Sequence, residues 1–223
     1  MAEQRHIILV RHVPVSNPDG IWYGRDVDLA PTTPQLESLF NRLAAELPTA
    51  PDKTIWISSP YQRAMHTAQS VSDKIPARDK PEIEIDDGFV EQQYGVMEGL
   101  PHQEAPLLPS VARYLQDTWN NCMEGGESMS IFQNRVAKAL ESLKERASIE
   151  NKDAVVFTHG GVIMAAYAHV TGQRMSDIFK QRKEKLAPSI SFVSRLDLTF
   201  EQEQAAWNTP PAYETGIPKP KAE

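Results

Sequence analysis

The stretch Ala154-Val-Val-Phe-Thr-His-Gly-Gly161 decides the fold. Four apolar residues in a row end at Thr158-His159, two glycines follow, and the apolar segment Val162 to Ala168 runs on toward Gly172. An unbroken apolar run of this length reads as a strand buried on both faces, as in a parallel sheet covered by helices. The glycines then open a helix expected over residues 161–170. The same pattern recurs twice upstream: Ile7-Ile-Leu-Val10 ends at Arg11-His12, and Thr54-Ile-Trp-Ile57 ends at Ser58-Ser59-Pro60. A longer, partly alternating run, Ile190 to Leu198, supplies a fourth strand.

Helical periods fill the intervals. Leu36, Leu39, Phe40, Leu43, Ala44 and Leu47 follow the 3.6-residue repeat, with Thr33-Pro34 as cap and first helical residue. Met129, Phe132, Val136, Ala139, Leu140 and Leu143 repeat it from Ser128 to about Ala147, and a further helix is expected from Tyr61 to about Lys74. Strands alternating with helices predict an α/β protein, a three-layer α/β/α sandwich around a mostly parallel central sheet. Residues 89–127 break the rhythm with Gly95, Gly99, Pro101, Pro106 and Pro109 and then a helix expected from Ser110 to Asn121. They read as an inserted lid over the ligand-binding edge of the sheet. One domain over residues 1–207 is expected, followed by a Pro-rich, disordered tail over residues 208–223.

Composition limits the partners. The 223 residues hold 23 Lys plus Arg against 30 Asp plus Glu, a net charge of −7. That argues against nucleic acid and anionic membrane, which need basic surfaces, but leaves room for a small anion held by a few placed cations. Apolar residues make up 40% of the chain, enough for a core that buries roughly 70% of the unfolded surface. Pro at 17 outnumbers Gly at 11, so the loops lean stiff. Cys122 stands alone, which rules out an intrachain disulfide and points to the cytoplasm. With no Gly-rich anion cradle around it, Cys122 reads as a bystander or packed thiol. The first apolar run begins at Ile7, too early for a basic leader and cleavage site, and Val162 to Ala168 is too short to span a bilayer.

In parallel sheets the ligand crevice lies outside the carboxyl ends of the strands. Three strand ends therefore bring Arg11 and His12, Arg63 (one turn beyond Pro60) and His159 to one place. The planar forks of Arg11 and Arg63 suit phosphate oxygens. The helix starts after Pro60 and Gly160 add backbone N–H groups, and Gly160 and Gly161 allow close approach. His12 in such a pocket is a candidate nucleophile, kept unprotonated by its cationic neighbours.

These residues resemble a known family. Leu9-Val-Arg-His12, Ser58-Ser-Pro-Tyr-Gln-Arg-Ala-Met-His-Thr-Ala68, Phe89-Val-Glu-Gln-Gln-Tyr-Gly-Val-Met-Glu-Gly99 and Phe157-Thr-His-Gly-Gly-Val162, with Gly125-Gly-Glu-Ser128 before the last, are similar in order and spacing to the motifs of the histidine phosphatase superfamily. The resemblance covers His6 to about Leu198. It implies a phosphoglycerate-mutase-like fold and a phosphohistidine on His12. Arg11, Arg63 and His159 would form the phosphate pocket, and Glu91 would donate and accept the proton. No cofactor or metal is implied. Glu98 matches the structural Glu-Gly pair of the motif, with a surface or loop-bracing role.

The chain also departs from that pattern. Val13-Pro14-Val15 stands where the family carries Gly, an acidic or amide residue and a hydroxyl; Ser16 or Asn17 are the available substitutes. His66 replaces a usual Gln or Glu and reads as a helix-face residue. Trp22-Tyr-Gly-Arg-Asp-Val-Asp-Leu-Ala30 resembles the α-ribazole phosphatase branch, which would put Tyr23 and Gly24 at the pocket's border. Trp22 and Tyr23 either stack on a substrate ring or simply pack the loop, and Arg25 with Asp26 or Asp28 reads as a loop-fixing ion pair. Within residues 89–127 Arg113 is the one strong cation, with His102 near where a mutase carries Lys, so hydrolysis is favoured over mutase-type phosphoryl transfer. Two other classes stay open: a metal hydrolase with His12, His159 and Glu91 as ligands, and a non-catalytic phosphate-binding or scaffold protein. The expected partner is a small phosphorylated metabolite, and the chain is expected to be a monomer or homodimer.

Overall fold

The apolar runs become the middle of a six-stranded sheet. A computed structural model describes residues 5–25, 27–29, 37–48, 50, 52–183, 193–198 and 206–208. Its strands are β1 (Arg5–Arg11), β2 (Thr54–Ser58), β3 (Ile83–Ile85), β4 (Asp153–Thr158), β5 (Val193–Leu198) and β6 (Ala206–Asn208), in the order β3-β2-β4-β1-β5-β6. β3, β2, β4 and β1 run parallel. β5 is antiparallel to β1, and β6 to β5. Ile190, Ser191 and Phe192 of the expected fourth strand lie outside the described residues, as do Thr33-Pro34 and the Pro-rich stretch beyond Asn208.

Helices α1 (Glu37–Glu46), α2 (Gln62–Ser72), α3 (Pro109–Gln116), α4 (Met129–Glu150), α5 (Gly160–Val170) and α6 (Met175–Lys183) accompany the sheet. Strand side chains alternate between faces. Ile8, Val10, Trp56, Val155 and Phe157 pack on one side with Phe40 and Leu43 of α1 and Ala68 and Val71 of α2. Ile7, Leu9, Ile55, Ala154 and Val156 pack on the other with Phe132, Val136 and Leu140 of α4 and Val162 and Ile163 of α5. Three α/β/α layers follow directly from that two-sided burial.

Element ends differ from expectation for local reasons. α4 runs past Ala147 to Glu150 because Asn151 caps it in the left-handed conformation, φ +54°. At its start the Ser128 hydroxyl accepts the Ile131 amide at 3.2 Å. α3 ends at Gln116, short of Asn121, because the Asp117 carboxylate takes the Trp119 and Asn120 amides, both at 3.2 Å, and turns the chain.

The segment expected to be a lid has its own small core of Met97, Val111, Tyr114 and Met123. Its two ends close on each other where Gly95, at φ +52°, lies so near the backbone of residues 124–126 that a Cβ would come within 2.1 Å of the Glu124 carbonyl oxygen. Trp22 ties it to the loop after β1, donating its amide to Leu100 O and accepting from Gly99 N, each at 2.8 Å.

Candidate active site

Register sets the site. Arg11 pairs with Thr158 across β1 and β4, and Ser58 with Phe157 across β2 and β4, so three strands finish level. The ladder continues one residue further: His12 N donates to Thr158 O at 2.8 Å and Ser59 N to Phe157 O at 2.9 Å. His12, Ser59 and His159 are thereby held side by side above the strand ends.

The His12 imidazole is buried, and its Nδ1 lies 2.7 Å from the Val13 carbonyl. A carbonyl only accepts, so Nδ1 carries the proton and the lone pair is on Nε2. Burial, followed by the Arg63 and Arg11 charges, lowers the pKa to about 3 against the opposing pull of the Val13 hydrogen bond. The ring is a neutral base at physiological pH. Val13, the first departure from the family pattern, is itself fully buried and donates its amide to Thr67 Oγ1 at 3.1 Å. It therefore serves to fix the tautomer of His12.

His159 is fully buried, with its ring centroid 5.3 Å from that of His12 and Nε2 2.8 Å from Ser59 Oγ. Burial first, then Arg63, drives its pKa well below the ordinary value, so this imidazole is neutral too. Its Nδ1 has no hydrogen-bond partner among protein atoms.

Arg63 sits in the first turn of α2 and is fully buried. Nη1 donates to Gly24 O at 3.1 Å and Asp28 Oδ1 at 2.6 Å, while Nε and Nη2 have no protein hydrogen-bond partner. Tyr61 and Tyr23 flank the guanidinium, their ring centroids 4.8 and 5.1 Å from Cζ. Arg11 lies against the start of α5, where a Cβ on Gly160 would stand 3.4 Å from its Nε. Glu91 Oε2 accepts the Gly161 amide at 3.1 Å and Oε1 the Gln92 amide at 2.9 Å. A Cβ on Gly161 would come within 2.1 Å of Glu91 Oε1, so only glycine admits the carboxylate there.

These groups border a cavity of about 550 Å³ whose lining includes Arg11, His12, Arg63, Glu91, Gly160 and Gly161. Tyr23 and Trp22 line it too, and Trp22 packs on Tyr94 at 5.1 Å. Asn17 is not brought to it: its side-chain amide is engaged twice with the Ile21 backbone, at 2.9 and 3.0 Å, and it braces the loop. Gly24 also stands back, its carbonyl turned to Arg63. Asp28 pairs with Arg63, while Asp26, the other expected partner of Arg25, lies outside the described residues. Glu98 braces the loop as expected, accepting from Val27 N and Tyr94 N, both at 3.3 Å. His66 packs on Phe40, and Cys122 is exposed on a groove apart from the cavity.

One component escaped sequence reasoning. Arg135 of α4 holds both carboxylate oxygens of Glu127, at 2.9 and 2.8 Å. The same guanidinium donates to the carbonyls of Gly88 and Val90, each at 3.1 Å, and of Glu91 at 3.4 Å. It clamps the backbone that presents Glu91. Among the described residues no three His, Cys, Asp or Glu side chains group as a metal site, and no helix is long and apolar enough to cross a membrane.

Residues 7–194 match the sequence pattern of the histidine phosphatase superfamily (branch 1). No curated protein sequence matches the chain. Solved structures that resemble it include the α-ribazole phosphatase from Shigella flexneri, with 19% identity, TM-score 0.72, 91% of this chain and 94% of that chain covered. A mycobacterial glucosyl-3-phosphoglycerate phosphatase matches with 19% identity, TM-score 0.69, and coverage of 94% and 100%. A protein from Thermus thermophilus matches with 25% identity, TM-score 0.59, and coverage of 92% and 99%.

Proposed function

The chain belongs to the histidine phosphatase superfamily, and from that premise we propose that it is a metal-independent phosphomonoesterase acting through a phosphohistidine on His12. The observation that carries this reading is the neutral Nε2 of His12 in one cavity with two arginines and Glu91. A phosphate dianion would take the open donors of Arg63 and Arg11 and sit at the amino end of α5. Nε2 attacks phosphorus as the bond to the leaving oxygen breaks, and Glu91 delivers its proton to that oxygen. Nδ1 keeps its proton throughout, and Val13 O stabilises the cationic phosphoimidazole. Glu91, now a carboxylate, takes a proton from water. The resulting hydroxide attacks phosphorus, releasing inorganic phosphate and restoring Nε2.

The substrate proposed is a small phosphorylated metabolite, with α-ribazole 5′-phosphate the first to try. Trp22 and Tyr23 of the branch-like segment do line the cavity, and the Shigella flexneri neighbour is an α-ribazole phosphatase. Mutase-type transfer is disfavoured because Arg113 does not line the cavity and no lysine among the described residues does. The lone Cys122 supports a cytoplasmic setting. The test is phosphate release together with trapping of a phosphoprotein that is stable to alkali and labile to acid. His12→Ala should abolish both; undiminished release by that variant would refute the assignment.

A further inference from the structure

Beyond its phosphate end the cavity changes character. Four methionines reach it from different elements: Met97 from the lid, Met129 from α4, Met164 from α5 and Met175 from α6. Trp22 and Tyr94 form an aromatic wall, and Leu115 and Phe179, 55% and 38% exposed, stand at the mouth. Polar groups are few. The Gln92 amide is already engaged with Tyr114 Oη at 3.3 Å and Glu127 O at 2.9 Å. Among the described lining residues the only guanidinium or ammonium groups are those of Arg11 and Arg63, both at the phosphate end. His12 and Glu91 also lie at that end, and away from it the one titratable base in the described lining is His102, exposed and 4.9 Å from the Trp22 ring.

A second phosphate or carboxylate entering here would lose its hydration and meet no guanidinium or ammonium group. Apolar surface gains by entering. Methionine side chains are flexible and polarizable, fit irregular shapes and contact aromatic rings well. At about 550 Å³ the space is of the size that encloses a whole small ligand, far more than a phosphate group alone needs. We propose that the substrates are phosphate monoesters whose leaving group is large, uncharged and apolar or aromatic. The proposal rests on the phosphatase reading above and narrows its substrate class.

The test compares phosphate release from ethyl, butyl and hexyl phosphate, whose leaving groups are equally basic, with release from 3-phosphoglycerate. kcat/KM should rise at least 10-fold from ethyl to hexyl, about 10²-fold being the most that burying the added methylenes yields. 3-Phosphoglycerate should fall at least 10-fold below hexyl phosphate. Calorimetric binding of methylphosphonate and hexylphosphonate, which needs no turnover, should show the longer chain bound at least 10-fold tighter. Leu115→Arg, at an exposed position that tolerates charge, should lower the hexyl-to-ethyl ratio at least threefold. A flat or falling series, equal turnover of 3-phosphoglycerate, or an unchanged ratio in Leu115→Arg overturns the proposal, even where His12-dependent release upholds the phosphatase reading. Tight hexylphosphonate binding without any release refutes that reading instead and sustains the apolar preference.

Discussion

Arg135 and Glu127 form a two-point ion pair at 2.9 and 2.8 Å, and the same guanidinium holds the Gly88, Val90 and Glu91 carbonyls of the backbone that presents the acid. The pair is partly buried, the side chains 23% and 10% exposed. Arg135 does not line the cavity, so it acts by positioning the acid. Arg135→Met is expected to lower kcat for alkyl phosphates about 10- to 100-fold. Aryl phosphates, whose leaving groups need little protonation, should lose less than about threefold. Equal losses on both ester classes would show a merely structural role. Stability should fall by about 1–3 kcal/mol, since Glu127 is left without its cation.

Gly161 and Glu91 supply a sharper probe, because the carboxylate occupies the space a side chain at 161 would need. Gly161→Ala should displace Glu91 and cut alkyl-ester turnover about 10²-fold, while inhibition by inorganic phosphate, which depends on Arg11 and Arg63, changes less than about threefold. Glu91→Gln should match it in turnover. A Gly161→Ala enzyme with full activity would show that Glu91 acts from another position.

The central strands and the gathering of Arg11, His12, Arg63 and His159 were legible because unbroken apolar runs lead into these residues at the carboxyl edge of a parallel sheet, whereas Glu91 was legible only through its resemblance to a family motif. β3 and β6 were not, having three residues each and too few apolar positions to carry a period. α6 was hidden similarly: only Met175 and Ile178 among its apolar residues are deeply buried. Side-chain partnerships across the chain were the other blind spot. Asp28 lies 35 residues from Arg63, and neither residue type names its partner. Asn17 was misplaced because a polar residue near a motif looks available until its backbone contacts are known. Val13 looked like damage to the family pattern, yet its carbonyl performs a task that any residue's carbonyl could, which side-chain patterns do not record.

Asp28 is the counterion of a fully buried arginine, with an Nη1 to Oδ1 distance of 2.6 Å. Removing one partner of such a pair leaves an uncompensated charge, which costs roughly 3–5 kcal/mol. Asp28→Ala should show that loss in chemical denaturation at neutral pH. Inorganic phosphate can replace the missing negative charge at Arg63. Saturating phosphate should therefore raise the variant's melting temperature by more than the wild type's, a linkage effect of binding to the folded state alone. Equal phosphate-induced shifts in the two proteins would place phosphate away from Arg63.

His12 gives the fold a defined acid sensitivity. Its folded pKa of about 3 lies below the unfolded value of 6.5, mainly through burial. Between those values the unfolded chain binds a proton at this position that the native protein does not. Stability from this site is thus complete above pH 6.5 and falls as the pH drops toward 3. At about 1.36 kcal/mol per pH unit the full loss is roughly 4–5 kcal/mol. His159 shifts in the same direction, also through burial, and adds to the slope. His12→Asn removes the first contribution and leaves the second. Stabilities at about pH 7 and about pH 4.5 should lie further apart in the wild type than in His12→Asn, by roughly 2–3 kcal/mol in chemical denaturation. Parallel pH dependence in the two proteins would mean that His12 is protonated in the native state, and with it the neutral nucleophile would be lost.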